Sequence, residues 1–250
     1  MTNLWEVNEM NTALYDYAKK LRLGKDFLED FEDIPFTTKE EYLTKVFEKA
    51  LLSQQINRKN RLLKQAKFEV FKSFDSYEFE NIELPETVTL ESLKKGDFIE
   101  KTENLIFYGP VGTGKTHLST AIGIELCNKG KKVKFFKVAT LVNELIEAYD
   151  KSDLRRYMAY LNKFDLLILD EWGYIPISLK GAELLFQVIA DCYERKSLII
   201  TTNLEFGKWI SIFMDKKLTS AIIDRIIHHS HLIYFTGESY RIKNSTINTK

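Results

Sequence analysis

The octapeptide GPVGTGKT at Gly109–Thr116 stands directly between the apolar run LIFY and the helical periodicity of HLSTAIGIEL. It has the form G-x-x-x-x-G-K-[ST], in which glycines let backbone N–H groups turn inward around a row of phosphates. A helix starting at its end adds unpaired N–H groups and the positive end of a dipole. Such a loop works only where a strand delivers it and a helix leaves it, so it demands an α/β architecture. Gly109, Pro110, Val111, Gly112, Thr113 and Gly114 are therefore candidates to wrap the phosphates of a nucleotide such as ATP. Lys115 would reach the β- and γ-phosphates, and the Thr116 hydroxyl would ligate Mg²⁺. His117 follows at the head of the helix, where it borders the loop and packs.

The rest of the chain meets that demand. From residue 104 onward the apolar runs Leu105–Tyr108, Val133–Val138, Leu166–Asp170, Leu198–Thr202 and Leu232–Phe235 alternate with helical patterns. This alternation predicts a five-stranded parallel sheet between helices, the fold of a phosphate-loop nucleoside triphosphatase. LLIL is apolar without alternation, as a strand buried on both faces should be. It runs into Asp170 and Glu171, at the strand end where ligands bind in open α/β sheets. Asp170 is the candidate Mg²⁺ carboxylate with Thr116, and Glu171 the candidate general base for an attacking water. The run LIITTN ends in Asn203, an amide placed to orient water or sense the γ-phosphate. Arg225 in SAIIDRI is a candidate to stabilise transition-state charge on a neighbouring subunit's nucleotide. Arg241 in ESYRIK is either a γ-phosphate sensor or a surface charge.

Ahead of the loop the character changes. The first 70 residues read as helix throughout, with the stripe Leu14, Tyr17, Ala18 and Leu21, then a second helix opening at Thr38 with Glu41 as its capping-box partner. Its stripe is Tyr42, Leu43, Val46, Phe47, Ala50 and Leu51. The expected organisation is a small all-helical domain over 1–70, a linker and lead-in over 71–100, an ATPase domain over 101–245 and a tail at 246–250. The whole chain carries 36 basic and 36 acidic side chains, which excludes a uniformly basic coat for nucleic acid. The average hides local patches. Residues 57–67 hold Arg58, Lys59, Arg61, Lys64 and Lys67 with no acid. That run is either a solvated helix face or a face for DNA phosphates.

Other classes fall away on simple grounds. No apolar stretch approaches the roughly 18 to 20 residues that span a bilayer, and the first residues carry no secretory pattern, so a cytoplasmic chain is expected. Cys127 and Cys192 form no CxxC pair and read as reduced and structural. His228, His229 and His231 are close in sequence, but no cysteine or carboxylate at metal-ligand spacing accompanies them, and they read as a loop packing near a subunit interface. Trp172 and Tyr174 either stack on bases or, as expected, pack at the strand exit. A metabolic kinase would need a substrate lid and an acceptor site that nothing here supplies.

GPVGTGKTHL, LLILDEWGY, LIITTN and SAIIDRIIHH together resemble the IstB-like branch of the AAA+ ATPases, which is similar to the DnaC-type helicase loaders. The likeness covers roughly residues 8–245. It implies an ATP-dependent homo-oligomer with ATP at subunit interfaces, which wraps or bends duplex DNA and recruits a transposase. It also implies a sensor role for Asn203 and an arginine finger acting in trans for Arg225. An additional helix before the Asp-Glu pair would line a DNA channel, making Lys151, Arg155 and Arg156 phosphate contacts that read no sequence. The alternative is a replicative helicase loader that binds a DnaB-type helicase and single-stranded DNA. The chain runs only briefly past Arg241, so the usual helical lid would be short or missing and a second-sensor role for that residue stays open.

Overall fold

The computed structural model describes residues 13–21, 23, 34–77 and 79–243. The chain divides into two compact units, Met1–Arg61 and Leu62–Lys250. In the first, residues 13–20 are helical, and helix α1 (Lys39–Ala66) follows and runs through the boundary. Thr38 caps α1, its Oγ1 accepting the Glu41 N–H at 3.2 Å, while Glu41 Oε2 accepts the Thr37 N–H at 2.8 Å. Helix does not extend over all of the first 70 residues as the periodicity predicts. Residues 34–38 are not helical, and α1 stops at Ala66, where Lys67 takes a left-handed φ of 57°. That conformation is a usual way for a helix to end. Of the predicted stripe, Ala50 is buried while Leu43, Phe47 and Leu51 are exposed.

The second unit is built on one six-stranded sheet. Its strands are β1 (Ile82–Glu83), β2 (Asn104–Tyr108), β3 (Val133–Lys137), β4 (Leu166–Trp172), β5 (Ser197–Thr202) and β6 (Ser230–Phe235). They lie in the order β1-β6-β2-β5-β4-β3, all parallel except β1, which pairs antiparallel with β6. The predicted parallel strands are all present. The additional β1 has two residues, too few for any period to show, and it covers the β6 edge. Val138, predicted as the end of a strand, instead starts a helix.

Helices α2 (Lys115–Asn128), α3 (Val138–Asp150), α4 (Leu154–Leu161), α5 (Leu179–Cys192) and α6 (Lys216–Ile227) cover the sheet. Successive strand residues point to opposite faces, so β4 feeds two cores. Leu167 and Leu169 pack with Leu141, Leu145, Leu185, Val188 and Ile222 on one side. Leu166 and Ile168 pack with Leu118, Ile122 and Leu126 of α2 on the other. The segment expected as linker and lead-in contributes to that second face, where Phe74, Val88, Leu93, Phe98 and Ile99 are all buried. Cys127 and Cys192 are buried free thiols. Among the described residues no helix is long and apolar enough to cross a membrane.

Strand β2 is held centrally by a buried amide. Asn104 Nδ2 donates to the Ile226 carbonyl at 3.1 Å, and its Oδ1 accepts the Leu198 N–H at 2.9 Å. Its own N–H bonds to the His229 carbonyl at 2.6 Å. One side chain thus ties β2 to β5 and to the end of α6. Asn104→Ala leaves two buried backbone groups without partners, at about 1–3 kcal/mol each. Urea unfolding should show a loss of about 2–4 kcal/mol; a loss below about 1 kcal/mol would show that the amide is not a structural tie.

Candidate nucleotide-binding site

The loop that follows β2 turns onto α2 through glycines that have no room for a side chain. Gly112 and Gly114 lie at φ 83° and 94°, in the left-handed region. A Cβ on Gly112 would stand 2.1 Å from Ser239 Oγ, and one on Gly114 would stand 2.6 Å from the Tyr77 hydroxyl. The neighbours also hold the loop. Tyr77 Oη donates to the Thr113 carbonyl at 3.3 Å, and the Tyr240 N–H to the Gly112 carbonyl at 3.0 Å. Lys115 Nζ lies within the loop and donates to the carbonyls of Gly109 (2.7 Å) and Pro110 (2.5 Å). Burial brings its pKa down to about 8, with the Asp170 charge opposing the fall and the Arg241 charge adding to it.

Strand β4 supplies the acids, and a bulge separates them. Leu169 pairs with Ile200 and Trp172 with Thr202, so the register shifts between them, and Glu171 sits at φ 59°. An irregularity of this kind re-aims side chains: Asp170 is 1% exposed while Glu171 faces solvent. Thr116 Oγ1 donates to the Asp170 carboxylate, 2.9 and 3.1 Å from its two oxygens, and Thr201 Oγ1 donates at 2.5 Å. Burial raises the Asp170 pKa, and the bonds from Thr201 and Thr116 and the charge of Lys137 oppose that rise. The Glu171 N–H bonds to Thr201 Oγ1 at 3.1 Å. Its carboxylate lies 3.8 Å from Lys137 Nζ, which also pairs with Glu69 at 3.1 Å. The bond to Glu69 in particular holds Lys137 above the ordinary lysine range.

These groups surround one cavity of about 880 Å³, at the carboxyl ends of β2, β4 and β5. Val111, Gly112, Thr113, Gly114, Lys115, Thr116 and His117 line it, with Glu171, Asn203 and Arg241. Its size suits a small-molecule ligand. Gly109 and Pro110 border it through the carbonyls that hold Lys115, and Asp170 is buried beside Thr116. The glycine cradle and the lysine suit a phosphate chain, and the Thr116 and Asp170 oxygens are the hard donors that Mg²⁺ takes. His117 Nε2 is 3.0 Å from the Ser73 carbonyl, a loop contact as well as a place on the wall.

Other expected residues lie elsewhere. Arg225 is on α6, outside the cavity lining; it bonds to the Ala221 carbonyl at 3.0 Å and lies over the Phe186 ring at 4.9 Å. Arg58, Lys59 and Arg61 are exposed in the first unit, and Lys64 and Lys67 in the second. Lys151, Arg155 and Arg156 are exposed at the junction of α3 and α4, where Lys151 pairs with Glu147 and Arg156 approaches Asp153 at 3.7 Å. Trp172 packs as expected, 5.0 Å from Trp209 ring to ring. Tyr174 does not: it is 62% exposed and lines the cavity, because the turn after the bulge points it outward. Sequence reasoning missed Thr201, Lys137, Glu69 and Tyr77. The position of Thr201 inside LIITTN was a signal for the first, whereas the other three reach the site only through packing.

A family model described as IstB-like ATP binding protein matches residues 32–248. The chain belongs to the IstB-like ATP-binding family. It is 39% identical over 186 residues to an insertion sequence IS232 putative ATP-binding protein of Bacillus thuringiensis subsp. berliner, covering 73% of each chain. It is 35% identical over 207 residues to the IS5376 counterpart of Geobacillus stearothermophilus, covering 83% of this chain and 82% of the relative. Among solved structures it is similar in fold to DnaI, with a TM-score of 0.54, 18% identity and coverage of 73% and 93% of the two chains. It is also similar to the DnaC helicase loader, with a TM-score of 0.51, 24% identity and coverage of 65% and 96%. The fold of this IstB-like chain is therefore that of the AAA+ phosphate-loop ATPases.

If Lys115 meets the phosphates, its lowered pKa would make nucleotide affinity pH-dependent, with a sign that follows from linkage. Phosphate favours the ammonium form, and the free protein loses that proton as pH rises through about 8. Above that value binding must take up a proton. Affinity for a fluorescent ATP analogue should be flat from pH 6.5 to 7.5 and weaken by up to about tenfold per unit above 8. A flat profile to pH 9.5 would show that Lys115 does not both meet phosphate and lose its proton near pH 8.

Proposed function

We propose that this chain is a Mg²⁺-dependent ATPase that assembles as a homo-oligomer on duplex DNA in the cytoplasm and recruits the transposase of an insertion sequence. The observation that carries the reading is a cavity lined by Lys115, Thr116, Glu171, Asn203 and Arg241, with Asp170 buried beside Thr116 and the remaining arginine, Arg225, outside the lining. Such an arrangement suits a site completed by a neighbouring copy. The insertion-sequence names of the relatives support the biological setting.

In this reading Gly109–Thr116 and His117 cradle ATP, and Lys115 binds its outer phosphates. Thr116 and Asp170 would hold Mg²⁺, which when bound offsets negative charge on the phosphate oxygens. Glu171, exposed beside the cavity and steered by Lys137, accepts a proton from the attacking water. Asn203 orients that water. Arg225 reaches a neighbouring subunit's nucleotide, and Arg241 senses the one in its own cavity. The N-terminal region 1–70 engages DNA or a partner, and 101–245 hydrolyses ATP. Arg58, Lys59, Arg61, Lys64, Lys67, Lys151, Arg155 and Arg156 meet DNA phosphates.

A helicase loader is the second reading, favoured by the fold likeness to the DnaC helicase loader. It expects binding to a DnaB-type helicase and to single strands. ATP turnover and particle size, measured with duplex DNA, single strands or neither, separate the two. Turnover that ignores duplex, with no duplex-dependent assembly, would overturn the first.

Two substitutions test the roles directly. Glu171→Gln should bind ATP normally while kcat falls about 10²–10⁴-fold, and it should accumulate the assembled form; retained turnover would remove Glu171 as the base. Replacing Arg155 and Arg156 together by Ala should weaken DNA binding equally across sequences. The slope of log K against log salt should become shallower by roughly one to two. A loss confined to certain sequences would mean contacts with base edges.

A further inference from the structure

The fold assembles a cluster that the sequence separates. His228 and His229 follow α6, and Glu194 follows α5, and one ligand atom from each comes within 4.8 Å of the others. The carboxylate that the linear spacing withheld from the HHSH stretch is supplied in three dimensions. His231 is not part of the cluster: it lies on β6, bonded to Glu103 at 2.9 Å and to Thr87 at 3.1 Å.

We propose that Glu194, His228 and His229 form a binding site for a late first-row divalent cation of the Zn²⁺ class. Two imidazoles and one carboxylate are a donor set that Zn²⁺ takes, with water completing a tetrahedron. The inference does not rest on the function proposed above.

Three features prepare the site. First, the rings already converge: the His228 and His229 centroids are 4.1 Å apart, and His229 Nε2 is 3.5 Å from Glu194 Oε1. Donors around tetrahedral Zn²⁺ are about 3.3–3.5 Å apart, given bonds of about 2.0–2.2 Å. To close the set, donors now within 4.8 Å of one another must draw in to that spacing, and all three side chains are exposed. Second, His228 Nδ1 and the Tyr193 hydroxyl are hydrogen-bonded at 2.8 Å. With Nδ1–H donating to the Tyr193 oxygen, Nε2 is left as the lone-pair donor, the arrangement that orients metal-binding histidines.

Third, the backbones are pinned. The His229 carbonyl accepts the Asn104 N–H at 2.6 Å, and the His228 N–H bonds to the Asp224 carbonyl at 3.2 Å. Glu194 holds a left-handed φ of 56° in a turn closed by the Arg195 and Lys196 N–H groups on the Cys192 carbonyl, at 2.9 and 3.0 Å. A cation here would clamp the end of α5 to the end of α6, the helix that carries Arg225. The soft competitors are out of reach, since both cysteines are buried.

The test is a Zn²⁺ titration of the untagged full chain by calorimetry, with excess Mg²⁺ present to occupy hard oxygen sites, and a parallel Co²⁺ titration read by absorption. One Zn²⁺ per chain is expected, with intense tetrahedral Co²⁺ bands. His228→Ala, His229→Ala and Glu194→Gln should each weaken binding at least about tenfold, while His231→Ala leaves it unchanged. All four positions are outside the core, and circular dichroism checks that each variant folds. Absence of Zn²⁺ binding, weak octahedral Co²⁺ bands, unchanged affinity in the three variants, or a loss produced by His231→Ala would each overturn the assignment.

Discussion

Everything at the nucleotide cavity hangs on one buried carboxylate. Asp170 accepts from Thr116 at the head of α2 and from Thr201 on β5. It therefore joins the glycine loop, its own strand β4 and the neighbouring strand into one rigid corner. A carboxylate at 1% exposure would be costly without those hydroxyls. The loop in turn keeps its curvature because Tyr77 and Ser239 fill the space where side chains at Gly114 and Gly112 would stand.

The sheet order explains why these groups meet at all. Strand β2 lies between β6 and β5, and β5 lies between β2 and β4. The loop from β2, the acids from β4 and Thr201 from β5 come from distant parts of the chain yet end at one sheet edge. Parallel strands put all their carboxyl ends on that side. The bulge near the end of β4 then divides two adjacent acids, turning Asp170 inward and leaving Glu171 outside within 3.8 Å of Lys137. Adjacent residues in a regular strand would also diverge, but the positive φ of Glu171 moves its backbone N–H onto Thr201.

Much of this was legible beforehand. The loop, the apolar strand LLIL with its acids, and Asn203 at the end of LIITTN were readable because each is a local pattern that a strand or turn imposes. What escaped was non-local or too short to carry a period. Strand β1 has two residues, and the end of α1 is set by a left-handed Lys67. Tyr77, Glu69 and Lys137 join the site by packing, and the exposure of Tyr174 depends on the turn after the bulge. Glu194 beside His228 and His229 is the sharpest case: the acid and the two imidazoles are separated in sequence by β5 and α6.

By itself the sequence determined the class of the protein and the chemical identity of its phosphate loop, acids and polar strand end. Those depend on residue type at fixed short spacing, which the backbone translates directly into a turn, a strand or a helix start. The tertiary structure alone decided which distant side chains complete them. It set Thr201 on Asp170, Lys137 between Glu171 and Glu69, and Arg225 away from the cavity of its own chain. Strand order and helix packing fix those distances, and no local spacing encodes them.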